Sequence, residues 1–460
     1  MTTAVKYRVE TDSLGTEGVP AEAYWGIHTL RAMQNFPVSG IPVARYPHLI
    51  RSLAAVKQAA AGANHHLGLI SDETAQALRA ACERVRSGEL HDQFCVDVVQ
   101  GGAGTSTNMN TNEVIANAAL EHLGYDFGRY DVIHPIDDVN RGQSTNDVYP
   151  TAVKLAIVGA FRDLVPALAA LADAFAERGR EFAGIAKIGR TQLQDAVPMT
   201  LGDEFTAFAV AVREDIARID ETLPLLLECS LGATAIGTGV TASPHYREAV
   251  LPRLAALTGE QVTPALHLFE ASWDVSAFLQ SSAMLRRTAV KLSKICNDLR
   301  LLSSGPQTGF AEITLPARQA GSSIMPGKVN PVLPEVVNQI AFSVIGADTT
   351  VVLAAEGGQL QLNAFEPIIA HSLLQSLAWL TNGVRVLRER CVVGIEPNES
   401  LLARRVATSV GTVTALVPTI GYEVAAAAAK HALATGDSIS QSVALHAGLS
   451  TAEVDRLLSL

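Results

Sequence analysis

The stretch Gly321–Pro331, GSSIMPGKVNP, combines two adjacent hydroxyls (Ser322, Ser323), one lysine (Lys328) and one amide (Asn330) with two glycines and two prolines. Glycine and proline punctuate structure, so this is a loop, and the chain on either side reads as helix. One reading is a mobile surface connection. The other is a loop that does chemistry, because a cation, an amide and paired hydroxyls are set between long helices, and binding residues concentrate on loops held by a rigid scaffold. A phosphate-binding P-loop is excluded. That motif places four residues between its first glycine and the Gly-Lys pair and follows the lysine with Ser or Thr. Here five residues separate Gly321 from Gly327, and Val329 follows Lys328.

Three more polar stretches share this character. Gln100–Val114, QGGAGTSTNMNTNEV, runs from glycines into Thr105, Ser106, Thr107 and Asn108 ahead of a helix. Such residues suit a helix N-cap, and a helix N-terminus is also an anion site, so the two readings are compatible. His134–Asp147, HPIDDVNRGQSTND, again sets Ser144, Thr145 and Asn146 before a long helix. His134, beside a proline in a loop, reads as structural. The third stretch, Gly189–Pro198, GRTQLQDAVP, carries Thr191 and Gln192 and reads as a loop. Arg31, in HTLRAMQNF, is either a functional cation or a residue that ties down an N-terminal arm.

The sum is hydroxyls, amides and one lysine. It contains no metal-ligand spacing such as HxxxH and no GxSxG elbow. The glycine-rich Gly232–Val240, GATAIGTGV, lacks the preceding strand and the GxGxxG spacing of a dinucleotide fold, and reads as a connection. The inventory suits a small dicarboxylate, with Lys328 as the clear cation. It also suits a doubly charged, enolate-like intermediate, which needs preorganised donors where charge develops. A base is still required. Ser322 or Ser323 serves if its alkoxide is held by backbone N–H groups, a helix N-terminus and a nearby lysine.

A net charge of −11 argues against nucleic acid as a partner. Five scattered cysteines with no CxxC pair point to a reducing compartment and away from a cysteine–zinc site. The N-terminus has no apolar signal region, and no uninterrupted apolar run reaches the roughly 18 residues of a membrane span. The expectation is a cytoplasmic, soluble protein.

Long helices must position these loops. Apolar residues step by three and four through Val158, Phe161, Val165, Leu168, Ala172 and Phe175, within Tyr149 to about Gly184. Four further segments repeat the pattern: Leu201 to Leu226, Ser272 to Leu302, 334–356 and 363–392. Apolar positions continue around more than one face, as in a bundle that packs against other subunits. Residues 47–88 read as two helices, the second capped by Ser71 or Asp72. Residues 1–45 are rich in glycine and proline and read as an irregular arm. The expected architecture is mainly all-α: an N-terminal domain over 1–141, a central long helical bundle over 142–397 and a small helical C-terminal domain over 398–460.

GSSIMPGKVNP is similar to the signature of the aspartase/fumarase superfamily. GTSTNMNTNEV, QSTNDVYPTA and GRTQLQDAVPMTLG resemble that family's other characteristic regions, in the same order along essentially the whole chain. RVETDSLGTEGVPAEAYWGIHTLRAMQNF, SKICNDLRLLSSGP and KVNPVLPEVVNQ resemble the aspartase branch more than the fumarase branch. Class II fumarases typically carry Thr-Gln where this chain has Val332 and Leu333, and a lysine where it has Glu366.

The resemblance implies deamination of L-aspartate to fumarate and ammonia, with class II fumarate hydratase as the alternative and a catalytically silent scaffold as a third reading. It implies Ser322 as the general base at Cβ. Thr105, Ser144, Thr145 and Ser323 would hold the β-carboxylate. Lys328 and Asn330 would hold the α-carboxylate, with Asn146 and Thr191 by the amino group. It implies a homotetramer whose active sites are each shared between three subunits, a loop that closes over the substrate, and no required cofactor, although the family permits activation by a divalent cation. Two departures bear on this. Gln192 stands where many members have histidine; glutamine cannot donate a proton as an acid, which a leaving hydroxide needs and a leaving ammonium does not. Ile136 stands where fumarases commonly have asparagine, so their secondary dicarboxylate site is not expected.

Overall fold

The computed structural model describes residues 6–458. Residues 1–5 of the expected arm and 459–460 of the expected C-terminal domain lie outside these. The chain is mainly helical, as expected. Five long helices carry it: Thr145–Glu181, Leu201–Thr222, Ser276–Leu302, Val332–Glu356 and Glu366–Arg390. Each was legible as a repeat of three and four, and each buries an apolar stripe.

The chain forms two compact units, one comprising Met1–Val165, Ala217–Ala289 and Phe342–Thr381, the other Pro166–Ile216, Val290–Ala341 and Asn382–Leu460. Every passage of the chain from one unit to the other falls within one of the five long helices.

The first unit opens differently from expectation. From Tyr7 the chain is an antiparallel hairpin, Tyr7–Asp12 (β1) with Gly15–Pro20 (β2), followed by helix Ile27–Asn35 (α1). The turn chemistry is local: the Asp12 carboxylate accepts from the Leu14 N–H, and Gly15 takes φ +127°. Arg31 in α1 pairs with Asp12 at 2.8 Å and Glu17 at 3.4 Å, so it ties α1 to the hairpin. Helix Pro47–His66 (α2) buries Ala54, Ala55, Ala59, Ala60, Ala61 and Ala63, small residues that let neighbouring helices approach. Its neighbour Asp72–Ser87 (α3) shows the expected N-cap: Ser71 Oγ accepts from the Thr74 N–H, two acidic residues occupy the first turn, and Gly88 closes the helix in the left-handed region. Helix Thr105–His122 (α4) is buried on nearly every side.

In the second unit the third polar stretch is not a loop. Ala186–Thr191 (β3) and Gln194–Thr200 (β4) form an antiparallel hairpin with Thr191 opposite Gln194. Phe175, Phe182, Phe205 and Phe208 cluster beneath it at ring separations of 5.3–6.2 Å. At Gly202 a Cβ would stand 2.5 Å from the Gly179 carbonyl, so only glycine allows these two helices to cross this closely. After Pro397 the described residues form short helices; Glu399–Thr408 lies against β3, and those from Val410 to Leu458 pack on Leu416, Ala428, Val443 and Val454.

Two helices, Thr145–Glu181 and Val332–Glu356, contain apolar windows long enough to cross a membrane. The first buries 61% of that window within the protein. The second leaves Phe342, Val352 and Leu353 exposed, Leu353 by 66%.

Candidate active site

The polar loops divide between the two units. Thr105, Ser144, Thr145 and Asn146 belong to the first; Thr191, Gln192, Ser322, Ser323, Lys328 and Asn330 belong to the second.

In the first unit the approach to α4 is built from backbone that few residues adopt. Gly102, Ala103 and Gly104 have φ of +89°, +53° and +88°. A Cβ on Gly104 would stand 2.5 Å from the Tyr149 ring. Glycine is therefore required twice over, by conformation and by contact. The N-cap position is Gly104, so Thr105, Ser106, Thr107 and Asn108 do not serve as the N-cap box they resemble; Gln100 Oε1 instead accepts from the Thr107 N–H at 3.1 Å in the first turn. Thr105 is exposed, and its hydroxyl donates to the Gly102 carbonyl at 2.8 Å.

The second stretch caps the start of helix Thr145–Glu181 (α5) reciprocally. Ser144 Oγ accepts from the Asn146 N–H at 3.2 Å, and the Asp147 carboxylate accepts from the Ser144 N–H at 3.0 Å. Among the described residues no acceptor takes the Ser144 O–H, so it can donate outward. The positive end of α5 and two half-buried hydroxyls, Ser144 and Thr145, thus meet at one place.

Buried charge lies directly behind. Asp147 is fully buried and also accepts from the Gly232 N–H at 2.9 Å. This makes GATAIGTGV more than the connection read from sequence: it helps hold the cap of α5. Burial pushes the Asp147 carboxyl up to about 7, against its backbone hydrogen bonds and the charge of Lys57. Lys57 is 1% exposed, and burial pushes its ammonium down to about 7. Glu113, on α4, accepts from the backbone N–H groups of Gly26, His28 and Thr29 and from the Thr29 hydroxyl, capping α1; burial raises its carboxyl to about 7. His134 is structural, as read: its Nδ1 accepts from the Ile136 and Asp137 N–H groups. Glu366, where the fumarase branch carries lysine, is buried at the start of its helix. Burial raises it to about 8, with the Lys154 charge working the other way.

In the second unit Thr191 ends β3, and Gln192 and Leu193 form the two-residue turn to β4. Both have positive φ, +54° and +63°. A two-residue hairpin of this kind asks for that conformation and prefers Asn-Gly, so a glutamine and a leucine there carry strain. The hairpin is anchored from below. Buried Glu312 pairs with Lys187 at 2.9 Å, Arg190 at 2.5 Å and Arg405 at 3.2 Å. The Arg190 guanidinium also stacks 4.4 Å over the Phe310 ring.

The loop 321–331 is pinched at its neck. The Gly321 N–H donates to the Lys328 carbonyl at 2.7 Å, and Asn330 Nδ2 donates to the Gly321 carbonyl at 2.8 Å. A Cβ at Gly321 would meet the Lys328 carbonyl at 2.7 Å. Within the loop, Ser322 Oγ accepts from the backbone N–H groups of Ile324 (3.1 Å) and Met325 (2.9 Å). Ser323 and Lys328 are exposed, and Ile324 is 85% exposed at the loop's outer end.

The chain is similar to known proteins along its length. The family described as Lyase matches residues 15–346, and the one described as Fumarase C C-terminus matches 413–460. Aspartate ammonia-lyase from Pseudomonas canavaninivorans is 54% identical over 459 residues, covering 100% of this chain and 97% of that protein. Aspartate ammonia-lyase from Escherichia coli K12 is 50% identical, covering 98% and 95%. A crystal structure of the Brucella melitensis fumarate lyase:delta crystallin bound to cobalt superposes with a TM-score of 0.96 at 54% identity, covering 99% and 98%. The class II fumarase from Schistosoma mansoni superposes with a TM-score of 0.93 at 36% identity, covering 98% of each chain. The chain belongs to the aspartase/fumarase superfamily, in its aspartase branch.

Proposed function

We infer that the enzyme is an L-aspartate ammonia-lyase that interconverts L-aspartate with fumarate and ammonia. The observation that carries the chemical reading is Ser322 Oγ, which accepts from two backbone N–H groups. These donors serve the hydroxyl weakly and an alkoxide strongly, since hydrogen bonds to an ionised acceptor are the stronger ones.

In this reading Ser322 takes the proton from Cβ. The electron pair passes into the β-carboxylate, which becomes enolate-like. Ser144, Thr145 and Ser323 donate to it as its charge grows, and Thr105 joins them by turning its O–H away from the Gly102 carbonyl. Lys328 and Asn330 hold the α-carboxylate; Asn146, Thr191 and Gln192 lie by the amino group. The enolate then collapses and the C–N bond breaks. Nitrogen leaves with the bonding pair as ammonia, already carrying its three protons. Gln192 suits this step because no proton donor is asked of it. No cofactor is required, and a divalent cation would act as an activator.

The assembly we propose is a cytoplasmic homotetramer with each site drawn from three subunits. The exposed Phe342, Val352 and Leu353 on one helix support a covered face. Ile324 and Met325 at the outer end of the loop would be buried on its closure, excluding water from the charged intermediate.

The test follows the ultraviolet absorbance of fumarate with L-aspartate and L-malate supplied separately. Aspartate alone should give fumarate; turnover of malate alone would establish the hydratase reading in its place.

A further inference from the structure

Thr145 can bind a carboxylate only if its O–H points outward as a donor. The structure contains a chain of side chains that fixes this direction, and it begins at a buried lysine 88 positions earlier in the sequence. Lys57 Nζ donates to Asn140 Oδ1 at 2.8 Å. In its protonated form Lys57 has donors and no acceptor, so the atom of Asn140 that faces it is the oxygen. The other end of that amide agrees, since Asn140 Nδ2 donates to the Gln143 carbonyl at 3.2 Å.

Asn140 Oδ1 also faces the amides of Asn108 (3.1 Å) and Asn112 (3.2 Å). Each must therefore present its NH2 group. Nothing on the oxygen side competes: Asn108 Oδ1 and Asn112 Oδ1 have no hydrogen-bond partner. With Asn108 so oriented, its second N–H points at Thr145 Oγ1, 3.2 Å away. Thr145 must accept there. No described acceptor takes its own O–H, which is left to donate outward.

We propose that Lys57, Asn140 and Asn108 are positioning residues that set the hydroxyl of Thr145 as a donor to the substrate β-carboxylate. This rests on the reading of Thr145 as a carboxylate ligand. The residues come from three places in the chain, α2, α4 and the turn before α5, and their side chains are largely or fully buried, so the direction is fixed before substrate arrives. A hydroxyl free to rotate would instead spend part of its time with a lone pair toward the carboxylate, a repulsive arrangement.

Two nearly isosteric substitutions separate the relay from simple packing. Asn108→Asp replaces the donor with an acceptor and forces Thr145 to turn its O–H inward. Asn140→Asp keeps the acceptor that faces Lys57 and Asn108. Both place one added carboxyl in the same buried cluster. The relay predicts that Asn108→Asp raises KM for L-aspartate at least about tenfold, the effect of losing one hydrogen bond to a charged group, with kcat less affected. Asn140→Asp should raise it by no more than about threefold, since the direction survives. Equal KM effects of the two would overturn the relay and indicate a merely structural cluster. Thr145→Val checks the underlying reading. If it leaves KM unchanged, Thr145 is not a carboxylate ligand and both ideas fail; if it raises KM while Asn108→Asp does not, only the relay fails. Should Asn108→Asp not fold, Asn108→Leu removes the donor without adding charge: a KM raised several-fold supports the relay, and an unchanged KM overturns it.

Discussion

The Arg190 guanidinium lies 2.5 Å from the Glu312 carboxylate, immediately before Thr191 in the chain. Glu312 is buried and also holds Arg405 and Lys187, the latter paired as well with Glu204 at 2.5 Å. Burial alone would raise its pKa; the hydrogen bonds from Arg190 and Lys187 outweigh it and hold the carboxyl below the usual value of 4.5. Glu312→Gln should destabilise the protein by about 3–5 kcal/mol, the cost of leaving buried charges uncompensated. It should also lower kcat/KM by loosening the turn that carries Gln192. The sign of the pH effect follows from the lowered pKa. The stability that Glu312 contributes is fully present above the unfolded value of 4.5 and is lost as pH falls through the lower folded value. Denaturant unfolding of the two proteins should therefore converge at low pH and diverge toward neutrality. Parallel curves would show that Glu312 is not ionised in the fold.

Gly104 and Gly102 share a left-handed backbone and differ in their surroundings. Gly104 abuts Tyr149, whereas a Cβ on Gly102 would meet only Thr105 at 3.9 Å. Gly104→Ala should cost about 2–4 kcal/mol, the backbone strain plus the overpacking. It should also displace Thr105 and raise KM. Gly102→Ala should cost about 1 kcal/mol from backbone strain alone. Unfolding midpoints of the two variants check the order, and equal losses would remove Tyr149 from the account.

The long helices were legible because a buried stripe imposes a period on the sequence that survives without knowledge of the partner. Ser71 was legible as a cap because capping is local. The hairpins were not. Gln192-Leu193 lacks the Asn-Gly signal that marks a two-residue turn, and the N-terminal glycines and prolines concealed β1 and β2. The loop's identity was plain from its own eleven residues, Gly321–Pro331. What sets Thr145 and Thr191 in place was not, because Lys57 with Asn140 and Arg190 with Glu312 are pairs of distant residues. No sequence period joins them.

If each site draws on several subunits, two variants damaged in different contributions should repair each other. Thr145→Val together with Ser322→Ala, co-refolded as mixed assemblies and assayed at L-aspartate well below the raised KM of Thr145→Val, should show more activity than either has alone. Sedimentation should report a tetramer in both, and Leu353→Lys, on the exposed apolar face, should lower the assembly mass and the activity together. Activity without assembly in Leu353→Lys, or no regain on mixing, would place a whole site within one chain.

The central claim is that Ser322 is the base. Replacing it with alanine removes one oxygen from a half-buried loop position and leaves the Gly321 pinch with Lys328 and Asn330 in place. We predict that Ser322→Ala lowers kcat for L-aspartate by about 10²–10⁴-fold, the range for a positioned general base, with the unfolding midpoint, the assembly mass and the affinity for succinate unchanged. A Ser322→Ala protein that retains its full rate, or that loses rate only by losing its assembly, would contradict the account.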